Sequence, residues 1–310
     1  MQKFVYIAAL SVAGFFALLG FSLFLGFTFS PQGLSFTSLS DLGTASNFGQ
    51  FMGGYFGPIF SIVTSFLLFA TLVNQSTINA RVAFESSFYK MLDYHFQHIT
   101  SLTVKHVRIT ESTYEQVSGK RAFIVFKLQL ERLLLIVREA SSSLELNLTD
   151  EEIIDCACIA FYYGLLEEHK DFLQEKLNRY SGNGELVEFL MKSKNSRLKA
   201  DNEYVGRANQ TTLSSYFRNM YHLIKYVDSQ KLLSSKEKIR YINILRAQLS
   251  DSELWLLFFN VISRFGKKWR ENEYITRYQL IKNLPKGFCA PFDTSIRFPM
   301  VYREDEFDKS

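Results

Sequence analysis

Hydrophobic positions along this chain fall into two kinds of run, continuous and periodic. Phe4 to Phe27, FVYIAALSVAGFFALLGFSLFLGF, contains no charged side chain, and neither does Gly53 to Gln75, GGYFGPIFSIVTSFLLFATLVNQ. At about 1.5 Å per residue, a helix of about twenty residues matches the hydrocarbon thickness of a bilayer, about 30 Å. Both runs are therefore expected to span a membrane, over about residues 4–27 and 54–74, joined by a Ser-, Gly- and Thr-rich loop, residues 28–53. Pro58 sits where the second span begins, and its missing donor costs least there.

The rest of the chain is periodic. From Ile78, apolar residues at Phe84, Phe88, Met91/Leu92, His95/Phe96 and Ile99 carry a helical spacing onward from the second span. Val107 to Lys120 reads as a loose polar stretch, and Ala122 to Arg138 as a helix with Phe123, Phe126, Leu130, Leu133/Leu134 and Val137 on one side. Thr149–Glu152, Ser234–Glu237 and Ser250–Glu253 are capping boxes, in which hydroxyl and carboxylate satisfy each other's free amides, so a helix is expected after each. A charged helix follows over Lys170–Tyr180, and the anchor-poor segment Lys192–Gly206 is expected to be a surface loop. Leu213, Tyr216/Phe217, Met220, Ile224 and Val227 then form one face of a helix, with Ser215, Arg218, His222 and Lys225 on another. Leu254 to Ile262, LWLLFFNVI, is apolar nearly all round but too short to span, so it is expected to be the central buried helix, with Leu254, Trp255, Leu257, Phe258 and Asn260 in the core. Tyr274 to Leu284 predicts a last helix before an irregular tail.

The pattern predicts an all-α protein: a transmembrane hairpin over 1–75, a cytoplasmic helical domain over 76–284 and a tail over 285–310 ending in Glu304, Asp305, Glu306 and Asp308. Charge sharpens the topology. Lys3 and Asp41 are the charged side chains of residues 1–74, and Arg81, Lys90, Lys105 and Arg108 follow the second span. The positive-inside bias then places both termini in the cytoplasm and the loop outside. A net charge of +4, carried by a part rich in both signs, does not indicate a nucleic-acid partner. The lipid bilayer is the expected partner.

Both spans carry small residues at every fourth position, Ala9, Ala13 and Ala17 on the first and Gly53, Gly57, Ser61 and Ser65 on the second. Such stripes let helices approach closely in lipid. They are expected to pack against each other within one hairpin; alternatively one stripe pairs between copies, which matters because two helices cannot enclose a pore.

Candidate chemistry is sparse. The three cysteines suit a reducing compartment; Cys156 and Cys158 point in different directions on one helix and read as buried thiols. His95 and His98 are three apart, but no nearby Cys or acidic pair completes a metal site, so a solvated or membrane-proximal pair is expected. There is no phosphate-cradling glycine loop, zinc helix or nucleophile elbow, and no cofactor is implied. Arg218 and His222 are one turn apart and can share a phosphate, the chemistry of an all-helical ribonuclease toxin of the HEPN kind. The usual motif leaves four to six residues between the two, whereas here there are three. The plainer reading is a polar helix face, with Arg246 and Asn260 satisfying helix ends.

Several blocks stand in a recognisable order: Gly53-Gly54-x-x-Gly57-Pro58 with Gln75, Phe84-Glu85-x-x-Phe88, and Tyr216-Phe217-Arg218-x-x-Tyr221 with Lys225. The most specific is Tyr241-x-x-Ile244-Leu245-Arg246-Ala247-Gln248-Leu249-Ser250-x-x-Glu253-Leu254, followed by Leu257-x-x-Asn260. Over most of residues 53–284 this order resembles the phage abortive infection family (AbiC-like). The resemblance implies a bacterial defence protein that shuts down or kills the infected cell before the phage matures, and carries over no catalytic residue. Three mechanisms fit it: an oligomeric membrane-perturbing effector released by a phage-derived trigger or by loss of an inhibitory partner, the ribonuclease, and a scaffold whose toxicity needs a second gene.

Overall fold

The computed structural model describes residues 2–28, 43, 46, 49, 50, 52–108, 113–201, 206–285, 287–295, 298 and 299. Most of the expected loop over 28–53, and the acidic tail from Glu304 to Asp308, lie outside the described residues. The chain divides into two compact units, Met1–Ser87 and Phe88–Ser310.

The first unit holds helix α1, Gln2–Thr28, and the start of α2, Gly57–Ser101, entered through a π turn at Met52–Phe56. Among the described residues, the segment Gly53–Ser101 is long and apolar enough to cross a membrane; its most apolar 18 residues average a hydropathy of 2.0 and are only 11% buried. The apolar stretch that α1 contributes, Tyr6–Ser22, is shorter than a full span. Ser65 and Thr71 donate to the carbonyls of Ser61 and Leu67 at 2.8 Å, so their hydroxyls need no water.

Packing within this unit follows a seam that takes in Ala9 and Ala13 of the first small-residue stripe but none of the second. Ala9, Ala13 and Gly20 are buried on α1, and Phe56 at the end of the π turn and Ala70 on α2, with Ile59, Val63, Phe66 and Val73 half-buried at the same three-and-four spacing. A Cβ at Gly20 would stand 3.1 Å from Ile59 Cγ2, so the bare backbone there lets the two helices close. Gly53, Gly57, Ser61, Ser65 and Ala17 are instead exposed, and a Cβ at Gly53 or Gly57 would meet no atom within 4 Å. The reason is geometric: a strict four-residue stripe drifts about 40° per step around a helix of 3.6 residues per turn, whereas alternating threes and fours keep facing one neighbour.

The unit boundary falls inside α2. The second unit is helical except for one hairpin: β1, Thr103–Arg108, pairs antiparallel with β2, Thr113–Ser118, from Thr103↔Ser118 to Arg108↔Thr113. This replaces the expected polar stretch, and its β-branched residues (Thr103, Val104, Val107, Thr113, Val117) favour the pleat. Gly119, at φ 64, donates its N–H to the Leu102 carbonyl at 2.9 Å and closes the base. The helices that follow are α3, Lys120–Ser143; α4, Asp150–Tyr163; α5, Lys170–Leu177; α6, Glu185–Asp201; α7, Gln210–Asp228; α8, Ser235–Arg246; and α9, Asp251–Ile262. Short helices cover Lys267–Glu271, Tyr274–Arg277 and Phe292–Ser295.

Each capping box forms: Thr149, Ser234 and Ser250 accept from the amides of Glu152, Glu237 and Glu253, opening α4, α8 and α9. Every residue of α9 from Glu253 to Val261 is buried, Leu254, Trp255, Leu257, Phe258 and Asn260 among them, and the helix packs on α3 and α4. Two expectations about helix extent also fail. The loop over Lys192–Gly206 is largely helix, because Lys, Arg, Leu and Ala favour helix without needing an apolar face. The helix expected over Tyr274–Leu284 ends at Arg277, because Gln279 turns left-handed at φ 49; Arg246 Nη1 caps its carbonyl at 3.2 Å.

His95, on α2 within this unit, is buried rather than solvated. Its ring lies 4.9 Å from that of Tyr216, and neither ring nitrogen has a hydrogen-bond partner. Burial, helped by nearby His98, holds its pKa down to about 4. The unfolded chain therefore binds a proton, below about pH 6.5, that the folded chain refuses. Stability is expected to fall as pH drops from about 6.5 to about 4. His95→Phe, which keeps the ring contact, is expected to remove that slope in thermal melts followed by circular dichroism. At Gly266 a Cβ would stand 2.3 Å from the Asn260 carbonyl oxygen, so Gly266→Ala should cost about 3 kcal/mol, read from the denaturation midpoint.

Candidate functional site

The amphipathic helix α7 places Arg218, His222 and Lys225 on successive turns of its exposed side, while Leu213, Tyr216, Met220, Ile224 and Val227 anchor the other side in the core. Two joints fix the helix. Asn209, just before α7, donates from Nδ2 to the Phe161 carbonyl at 3.0 Å and to Gln129 Oε1 at 3.2 Å, tying it to the end of α4 and to α3. Tyr216 donates to Glu253 Oε1 at 2.9 Å, while Oε2 of this fully buried carboxylate accepts from the Ser250 amide at 2.8 Å and hydroxyl at 2.6 Å. The pairing and burial together keep the Tyr216 hydroxyl protonated well beyond its ordinary range.

Opposite α7 stands the turn Arg264–Gly266 and the short helix after it. Asp155 on α4 holds the turn in place: its carboxylate accepts from the Arg264 amide at 2.6 Å, Arg264 Nε at 2.9 Å, Arg179 Nη2 at 2.9 Å and the Tyr180 hydroxyl at 2.6 Å. Burial opposes the charge of Asp155, but hydrogen bonds from Arg264 and Tyr180 outweigh it and hold the carboxyl below its ordinary range. Held this way, the turn presents Phe265, Lys268 and Trp269 to α7, and the Phe265 ring lies 4.3 Å from that of Tyr162.

Between α7, α9 and this turn is a cavity of about 320 Å3. Its walls are aromatic: Phe217, Tyr221, Phe265 and Trp269, with Tyr221 and Trp269 edge to face at 5.5 Å and the Tyr221 hydroxyl accepting from Asn272 Nδ2 at 3.3 Å. Arg218, His222, Lys225 and Lys268 are exposed and form its rim. Among the described residues no carboxylate lines it, and none of these four side chains has a hydrogen bond or ion pair. Its floor is neutral and buried. Asn260, 4% exposed, donates from Nδ2 to the Tyr162 hydroxyl at 2.6 Å, and its Oδ1 has no partner. Burial, with the nearby Cys158, keeps the Tyr162 hydroxyl protonated well above its usual range, leaving its own proton available to donate. The buried end of the site is thus a free donor beside a free acceptor.

Arg218 and His222, singled out by their spacing, therefore share one cavity. Asn260, expected to satisfy a helix end, instead faces this space, and Tyr162, Phe265, Lys268 and Trp269 reach it from elements with no sequence relation to α7. A second cavity of about 480 Å3 around Asp155 is larger, but its groups are engaged in structure: Arg179 and Arg264 on Asp155, and Arg270 Nη1 on the carbonyls of Ile262 at 2.7 Å and Ser263 at 2.8 Å. Cys156, Cys158 and Cys289 are free and buried, with thiol pKa values raised by burial. Among the described residues, no three His, Cys, Asp or Glu side chains cluster to hold a metal. His98 Nε2 lies 3.4 Å from the Thr212 carbonyl.

No curated protein and no solved structure matches the chain. A family model does match, over residues 208–289, a segment that supplies every lining residue of the basic cavity except Tyr162. The family that this segment matches is described as "putative phage abortive infection protein".

Proposed function

We propose that the chain is an antiphage abortive-infection effector of the bacterial cytoplasmic membrane, which makes the membrane leaky when infection triggers it. The defence role rests on the family match over 208–289. The membrane role rests on the uncovered stripe of α2: Gly53, Gly57, Ser61 and Ser65 are exposed within an apolar helix segment whose own unit packs through a different seam. In lipid, such a face is satisfied by close approach of a second backbone, so copies of the chain associate through it. On this reading α1 and α2 are two spans, residues 28–53 face outward, both termini are cytoplasmic, and a phage-derived trigger or loss of an inhibitory partner rearranges the assembly.

A second reading, a membrane-tethered ribonuclease of the HEPN kind, is favoured by one observation. Arg218 and His222 line the same open cavity with no side chain engaged, as phosphate binding and proton transfer require.

The test follows membrane potential with a voltage-sensitive dye and RNA integrity together in infected bacteria expressing the chain. Depolarisation is expected before RNA loss, and Gly57→Leu, which blocks close approach, is expected to lower the depolarised fraction and protection by about tenfold. RNA fragmentation before depolarisation, abolished by Arg218→Ala or His222→Ala, would transfer the activity to the nuclease reading. Release of the intact chain by alkaline carbonate would overturn membrane insertion altogether.

A further inference from the structure

We infer that the cavity between α7, α9 and the Arg264–Trp269 segment binds a nucleoside phosphate, with the phosphate at its cationic rim and the base on its neutral floor. The inference requires neither membrane insertion nor RNA cleavage.

Three features carry it. The first is uncompensated charge: Arg218, Lys225 and Lys268, with His222 beside them, line the cavity, and among the described residues no Asp or Glu does. Elsewhere in this unit cations are engaged, as Arg179 and Arg264 are on Asp155 and Arg277 on Asp228. Cations left together and unpaired at a concave site define the place of an anion, and a guanidinium beside two ammonium groups suits phosphate. The second is shape. Tyr221, Phe265 and Trp269 line the same cavity, and flat apolar walls suit a planar base.

The third feature selects among anions. Asn260 is buried, yet its Oδ1 lacks a partner while its Nδ2 is bonded to Tyr162. The amide can turn over, exchanging which end meets the hydroxyl, but in either orientation the pair leaves an acceptor and at least one donor free side by side. Buried polar groups are satisfied as a rule, so an unsatisfied pair at the bottom of an open cavity marks where a ligand completes it. Adjacent donor and acceptor atoms are what the edge of a nucleobase offers. Inorganic phosphate uses the rim and leaves this pair empty.

The full chain, purified in detergent, would be titrated by calorimetry with AMP, GMP, CMP and UMP, and separately with orthophosphate, adenosine and a six-nucleotide single-stranded RNA. At least one nucleotide is expected to bind about tenfold or more tightly than orthophosphate or its own nucleoside, more weakly as salt rises. Arg218→Ala or Lys268→Ala, both at exposed positions, should weaken that nucleotide about tenfold. Tyr162→Phe should weaken the nucleotide while leaving orthophosphate unchanged. Equal binding of orthophosphate and nucleotide would overturn the inference in favour of a plain anion site. Absence of nucleotide binding by a chain with native circular dichroism would also overturn it. RNA binding about tenfold tighter than every nucleotide would assign the cavity to RNA.

Discussion

A helix buried on every side cannot send a polar group to water, and that constraint on α9 shapes the second unit. Its two polar side chains within the buried run resolve the constraint differently. Glu253, at the start, is surrounded by donors: the Ser250 amide and hydroxyl take one oxygen and the Tyr216 hydroxyl the other. One carboxylate thus caps α9 and clamps α7 against it. Asn260, near the far end, is only half satisfied, by Tyr162. Removing a buried partner costs about 1–3 kcal/mol, so a group left half paired in an otherwise closed core is informative.

The distribution of carboxylates follows from the same logic. Acids are drawn into joints between elements: buried Asp155 joins α4 to the Arg264 turn and to Arg179 and Tyr180, and half-buried Asp228 at the end of α7 takes the Tyr278 hydroxyl at 2.5 Å and Arg277 at 3.3 Å. Each joint gives its cations a carboxylate partner. Among the described residues the cavity between α7 and the turn is lined by cations and no acid, while Asp155 and Asp228 are engaged in these joints. A wall held from behind by Asp155 can therefore carry Lys268 and Arg218 toward one space without an internal counter-charge.

Much of this was legible in the sequence where the signal is local. The boxes at Thr149, Ser234 and Ser250 name helix starts because hydroxyl and carboxylate three residues apart solve a local problem of free amides. The apolar run Leu254–Ile262 exceeds what one buried face requires and so indicates burial all round. Signals failed where the determinant is not apolar spacing: α6 is helical by propensity, the hairpin by β-branching and closure at Gly119, and Gln279 ends a helix through a backbone turn that periodicity does not register. The candidate site divides the same way. Arg218, His222 and Lys225 fall on one face by counting in threes and fours, but Tyr162 lies 98 residues from Asn260 and meets it only because α4 and α9 pack side by side.

Charge at the rim and polarity at the floor do different work. Exposed cations contribute little individually, about 0–1 kcal/mol per pair in water, and they attract any anion alike. They set the rate and the salt dependence of an encounter rather than its identity. Discrimination requires a group that loses something when the wrong partner enters, and a buried polar atom left unpaired is such a group. In this fold that role falls to Asn260 and Tyr162, because burial among α4 and α9 leaves them little access to water, whereas Arg218, His222, Lys225 and Lys268 can always turn back to solvent.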